Sequence, residues 1–146
     1  MFNQTQADPY NLQRFVLAQD LVFPQVLFEL KQGEKKQHWM WFIFPQIKGL
    51  GRSEAAGFYA LESRAEAKAY LGHPILGVRL VQCTQLTLDG EGCVAEKIFG
   101  STDACKFKSS MTLFTSVAPN QQVFQDALAK FYGGEFDPMT LAKMKS

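Results

Sequence analysis

The chain predicts an all-α fold, a compact single-domain bundle of about seven to eight short helices. Two observations carry this. Glycine and proline cut the 146 residues into short segments, most of which open on a capping residue or proline and close on glycine. Within those segments apolar residues recur every three or four positions, the helical period. Length sets the scale: residues 1–146 suffice for one domain that buries roughly two-thirds of its unfolded surface. There is no repeat, low-complexity tract or linker.

In chain order, Asp8-Pro9 is an N-cap followed by a proline at the first helical position, and Leu12, Phe15, Val16 and Gln19 share the face that follows. A second helix is expected over about 20–32, with Pro24 in its first turn and Gly33 as its stop. Residues 38–44 form a short apolar run that fits a buried strand or a buried helix. Ser53 caps a helix through Ala55, Ala56 and Phe58. Ser63-Arg64-Ala65-Glu66 is a capping box for a helix ending near Gly72. His73-Pro74 restarts the chain, and Leu76, Leu80, Cys83 and Thr87 keep helical spacing up to Asp89-Gly90. A short helix over 94–99 stops at Gly100. Ser101 or Thr102 caps the next, which reaches about Val117 before Pro119. Asn120 caps another, ending at Tyr132-Gly133-Gly134, and Asp137-Pro138 opens the last.

Fifteen basic and 14 acidic residues leave a net charge of +1, without the basic footprint of a nucleic-acid binder. Cys83, Cys93 and Cys105 are odd in number and lack CxxC spacing, the pattern of reduced thiols rather than of a disulfide framework or zinc site. No apolar stretch approaches the ~18 residues of a membrane span, and Met1 to Pro9 carries no signal-peptide core. A cytoplasmic protein is expected, with no cofactor and no metal site.

Candidate chemistry lies on two segments. On the helix over 103–117, Phe107, Met111, Phe114 and Val117 define an apolar stripe, and Asp103, Lys106 and Ser110 project onto or beside it. Ser109, Thr112 and Ser116 are assigned to the solvent side. Charged and hydroxyl groups on a core-facing side need partners or a pocket. Asp103 and Lys106 at i,i+3 can form a structural ion pair, or the three can line a ligand site. The turn Lys48-Gly49-Leu50-Gly51-Arg52-Ser53 is the second segment. Its glycines permit close backbone approach, Arg52 offers a bidentate fork for phosphate or carboxylate, and Ser53 stands at a helix start. It matches neither the phosphate-binding loop nor the dinucleotide fingerprint, and an ordinary capped loop fits equally.

His38 and His73 are the two histidines. His38 is a ligand or acid–base candidate or simply structural; His73 reads as an N-cap. Trp39, Trp41, Phe42 and Phe44 read as core, with ring stacking on a ligand as the second reading. Gln19, an amide on an apolar stripe, orients a loop or touches a ligand. Cys105 lies beside Lys106 but off the stripe, which argues against a nucleophile, and no serine sits in a GxSxG elbow.

Several strings together resemble the DUF1810 family. They are Arg14-Phe15 with Ala18-Gln19, His38-Trp39-Met40-Trp41-Phe42 through Phe44-Pro45-Gln46, and Gly49-Leu50-Gly51-Arg52-Ser53. His73-Pro74 with Leu76-Gly77 and Arg79-Leu80, Ile98-Phe99-Gly100 with Asp103 and Lys106, and Ser109-Ser110-Met111-Thr112-Leu113-Phe114 continue the match, and Phe131, Gly133-Gly134, Asp137 and Thr140-Leu141 complete it. The resemblance implies a small, mainly α-helical bacterial protein with no established activity. An automatic "calpastatin" label carried by some members finds no support: no protease-inhibitor repeat is present, and the globular patterning argues against a disordered inhibitor.

The family strings coincide with the polar residues that fit neither core nor surface, so one shared pocket is expected. The leading expectation is a site for an anionic, nucleotide- or ADP-ribose-like small molecule, with a hydrolase or transferase reaction left open. Arg52 and Ser53 would hold the anion, Trp39 or Trp41 would stack on a ring, and Ser110 would line the site. Asp103, assisted by Lys106 or His38, would be the acid–base group. The alternative is a non-catalytic interaction or dimerisation domain with part of the aromatic block exposed. Single-stranded nucleic-acid binding ranks last on charge.

Overall fold

Local capping chemistry sets most of the helix boundaries. The computed structural model describes residues 7–145, so most of the polar N-terminal stretch read as lacking a leader lies outside the described residues. Among those described, nine helices form and no strand does. They are α1 Gln13–Gln32, α2 Met40–Ile43, α3 Glu54–Phe58, α4 Arg64–Gly72, α5 Leu76–Asp89, α6 Ala95–Phe99, α7 Ser101–Val117, α8 Gln122–Tyr132 and α9 Pro138–Lys143. One isolated parallel bridge joins Ile47 and Leu61. No helix among the described residues is long and apolar enough to cross a membrane.

Ser53, Ser63 and Asp137 each accept the amide N–H three residues on, as their spacing predicts. The ring of His73 does the same work for α5, its Nδ1 accepting from the amides of Ile75 and Leu76 at 3.1 and 3.2 Å. Two expected caps are not made. The residue ahead of α7 is Gly100, at φ 83°, and the residue ahead of α8 is Gln121; neither gives a side-chain cap.

The two helices expected over 9–32 are one. Asp8 accepts from the amides of Leu12 and Gln13 at 2.8 and 3.0 Å, capping the turn that leads into α1. The stripe of Leu12, Phe15, Val16 and Gln19 then runs on through Val26, Glu29 and Leu30, so burial carries the helix across Pro24 despite the missing hydrogen bond. Residues 38–44, ambiguous by pattern, contain the single helical turn α2. Phe42 and, just after the turn, Phe44 enter the core, where Phe44 meets Phe107 edge-on at 4.9 Å.

Helix α7 is the axis of the molecule. It packs against α4, α6, α8 and α9, and its residues from Ser109 to Thr115 are all buried. The solvent face assigned to Ser109 and Thr112 therefore does not exist: α9 and the segment before it cover that side, where the Thr112 hydroxyl accepts from the amide of Asp137 at 2.9 Å. Where α4 meets α5 the backbones touch. A Cβ on Gly77 would lie 1.9 Å from the carbonyl oxygen of Leu71.

Candidate functional site

Two adjoining clefts open along the N-terminal half of α7. The larger, about 690 Å³, lies between α7, the 46–56 segment and the start of α9; Trp41, Arg52, Ser53, Cys105, Lys106, Ser109 and Asp137 contribute to its walls. The smaller, about 360 Å³, is lined by Lys35, His38, Trp41, Thr102, Asp103 and Lys106 among others. Trp41, Thr102 and Lys106 belong to both walls. The Lys106 ammonium lies 5.6 Å from the centre of the Trp41 ring, so a cation and an indole face form the ridge between the clefts.

Six of the eight sequence-predicted site residues line these clefts, though not one shared pocket: His38 and Asp103 the smaller, Arg52 and Ser53 the larger, and Trp41 and Lys106 both. Trp39 and Ser110 do not. Trp39 is 1% exposed, and its indole N–H is spent on Glu29 Oε1 at 2.9 Å. Ser110 is fully buried in the core, its hydroxyl without a hydrogen-bond partner among the described residues. The hydroxyl on the cleft wall is that of its neighbour Ser109, which donates to Asp137 Oδ2 at 2.9 Å. One residue of helical phase, about 100°, separates the two assignments.

Asp103 forms the expected pair with Lys106, at 3.1 Å, and a second with Lys35, at 2.8 Å. Burial acts to raise the Asp103 carboxyl, but hydrogen bonds and charge from Lys35 and Lys106 outweigh it and hold the group below the usual carboxylate range. A carboxylate held ionised in this way is a poor general acid and a weak base near neutrality. Its geometry instead fixes two ammonium groups at the smaller cleft. Sequence reasoning missed Lys35, which follows Gly33-Glu34 in a run that reads as solvated loop.

The turn over 48–53 works differently from its sequence reading. Gly49 is required by its φ of 101°, and Gly51 by close packing, since a Cβ there would lie 2.4 Å from Cβ of Ala56. Both glycines thus have structural reasons. Ser53 Oγ accepts from the amide of Ala56 at 3.0 Å, and α3 is too short to supply an anion site by its dipole. Arg52 is exposed at the cleft rim. Gln19 orients a loop: its amide donates to the carbonyl of Phe42 at 2.6 Å and to Tyr70 Oη at 3.0 Å, fixing α2 from below.

Among known proteins, no curated protein matches this chain. A solved structure does, the crystal structure of the conserved hypothetical protein Rv1873 from Mycobacterium tuberculosis. It is 47% identical, with a TM-score of 0.93 over 95% of this chain and 99% of that one. The model of the family described as "Protein of unknown function (DUF1810)" matches residues 9–144, and the chain belongs to that family.

Proposed function

We propose that the two clefts act as one binding site for a small anionic ligand with a planar ring, of the nucleotide or ADP-ribose kind. The observation that carries the reading is the shared ridge. Trp41 offers a half-buried indole face with the Lys106 ammonium beside it, and Arg52 lines the same larger cleft. An indole face suits a base, an ammonium suits a point charge, and a guanidinium suits the paired oxygens of a phosphate. Asp103 holds Lys35 and Lys106 in place. His38 lines the smaller cleft and is the proposed proton-transfer group of the site.

A thermal-shift series with AMP, ADP-ribose, ATP and sugar phosphates at millimolar concentration tests this. A ligand at 100 times its Kd stabilises by about 2.7 kcal/mol, which for a domain of this size raises Tm by roughly 5–10 °C. The shift should disappear in Arg52→Ala and Lys106→Ala. Absence of stabilisation by every anion in the series would remove the reading. The alternative of an interaction domain would have Trp41 alone of these rings to offer a partner, because Trp39, Phe42 and Phe44 are buried.

A further inference from the structure

Helix α1 carries apolar side chains on its outer face as well as its inner one. Leu17, Leu21 and Phe28 are 60, 85 and 58% exposed, Pro24 is exposed between them, and all four fall within roughly 60° of the helix circumference. Phe58, at the end of α3, is 56% exposed and extends the patch sideways. A groove of about 450 Å³ runs between them, lined by Arg14, Leu17, Ala18, Leu21, Phe58 and Tyr59. Contiguous apolar surface of this kind marks an interaction site on a water-soluble domain.

The spacing of the stripe identifies its occupant. Two antiparallel helices related by a two-fold axis pair residues whose numbers share a constant sum. With the axis between positions 22 and 23, Leu17 faces position 28 and Leu21 faces position 24, so every apolar member of the stripe meets another. The same operation carries Phe28 to the end of the helix where the groove lies. The stripe is thus its own complement, as an isologous interface requires. We propose that this chain forms a two-fold dimer through α1, with Phe28 of each subunit seated in the α1–Phe58 groove of the other.

The area is sufficient. Four large side chains at these exposures offer on the order of 400 Å² of apolar surface. The polar margin of Gln13, Asp20, Gln25 and Lys31 extends the face toward the ~800 Å² per partner of a standard interface, about a tenth of the 7703 Å² surface of one chain. A membrane occupant is disfavoured because the margin carries one acid, Asp20, against one base, Lys31, not the basic border of an interfacial helix.

Light scattering on the size-excluded protein at tens of micromolar should give about twice the 16.4 kDa chain mass. Phe28→Asp and Leu21→Lys, both on exposed positions, should each give the single-chain mass with unchanged far-UV circular dichroism. Register is tested by Leu17→Cys with Phe28→Cys in one chain, with Cys93→Ser and Cys105→Ser to remove the exposed thiols. Those positions lie about 16 Å apart along one helix, too far to pair within a subunit, so oxidation should yield a covalent dimer. A wild-type protein that stays monomeric to the millimolar range overturns the proposal. So does a dimer that both charged variants leave intact, or one that fails to cross-link, since its interface would lie elsewhere.

Discussion

Glu29→Gln tests the most demanding polar arrangement in the core. Glu29 is 2% exposed, and among the described residues its carboxylate is met by neutral donors rather than by a cation. Its Oε1 accepts from the amides of Lys36 and Gln37 at 2.8 and 3.1 Å and from the indole N–H of Trp39 at 2.9 Å; its Oε2 accepts from Gln25 Nε2 at 2.8 Å. Burial acts to raise the carboxyl, but these four donors outweigh it and hold the group below the usual range. Hydrogen bonds to a charged acceptor contribute about 1.5–3 kcal/mol against about 0.5–1.5 for a neutral one. The glutamine keeps one oxygen for the three N–H groups but loses the charge, so a loss of about 2–3 kcal/mol follows. For a domain of this length that lowers Tm by roughly 6–9 °C at pH 7. The sign of the pH dependence is fixed. A depressed folded pKa stabilises above the unfolded value of about 4.3, and that stabilisation is lost as pH falls through the folded value. Calorimetric melts of both proteins from pH 7 down to pH 3 should show the gap closing in acid. A gap under 1 °C at pH 7, or one of constant size across the range, would refute the account of Glu29 as an ionised acceptor.

Two further outcomes follow from packing. Gly77→Ala places a methyl carbon against the Leu71 carbonyl, a backbone contact that cannot rotate away, and should cost at least the ~1–3 kcal/mol of an overpacked core; a melt within 1 °C of wild type would show that α4 and α5 part easily. Cys93 and Cys105 are exposed, whereas Cys83 is buried and burial pushes its thiol up to about 12. Two thiols should therefore react with a thiol-specific dye in the native protein and three in denaturant; a third reacting at the native rate would show that α5 opens.

What the sequence made legible was local. Ser53, Ser63 and Asp137 cap within three residues of themselves, and the His73 ring caps α5 at the same short range. The polar triplet on α7 could be flagged because its members stand on a core-facing stripe. Partners distant in sequence could not. Nothing in the run around Lys35 shows that it will pair with Asp103, on distant α7. The all-round burial of residues 109–115 depends on α9 closing over Ser109 and Thr112, which no periodicity within α7 encodes. Glu29 was within reach: it shares the stripe of Gln19 and Val26, and a carboxylate there demands donors just as an amide does. Pro24 misled because its cost is local, whereas the burial that offsets it comes from both ends of α1.

The two tryptophans, two positions apart, occupy unlike surroundings. Trp39 is sealed in the core with its N–H on a carboxylate, and Trp41 stands partly buried on the ridge between the clefts beside the Lys106 ammonium. The molecule therefore carries two built-in optical probes. The inner indole emits to the blue and reports only on melting of the core. The outer one is open to quenchers and to whatever enters the clefts. Trp39→Phe and Trp41→Phe would separate the two signals, so changes at the clefts and integrity of the fold can be followed independently in one unlabelled sample.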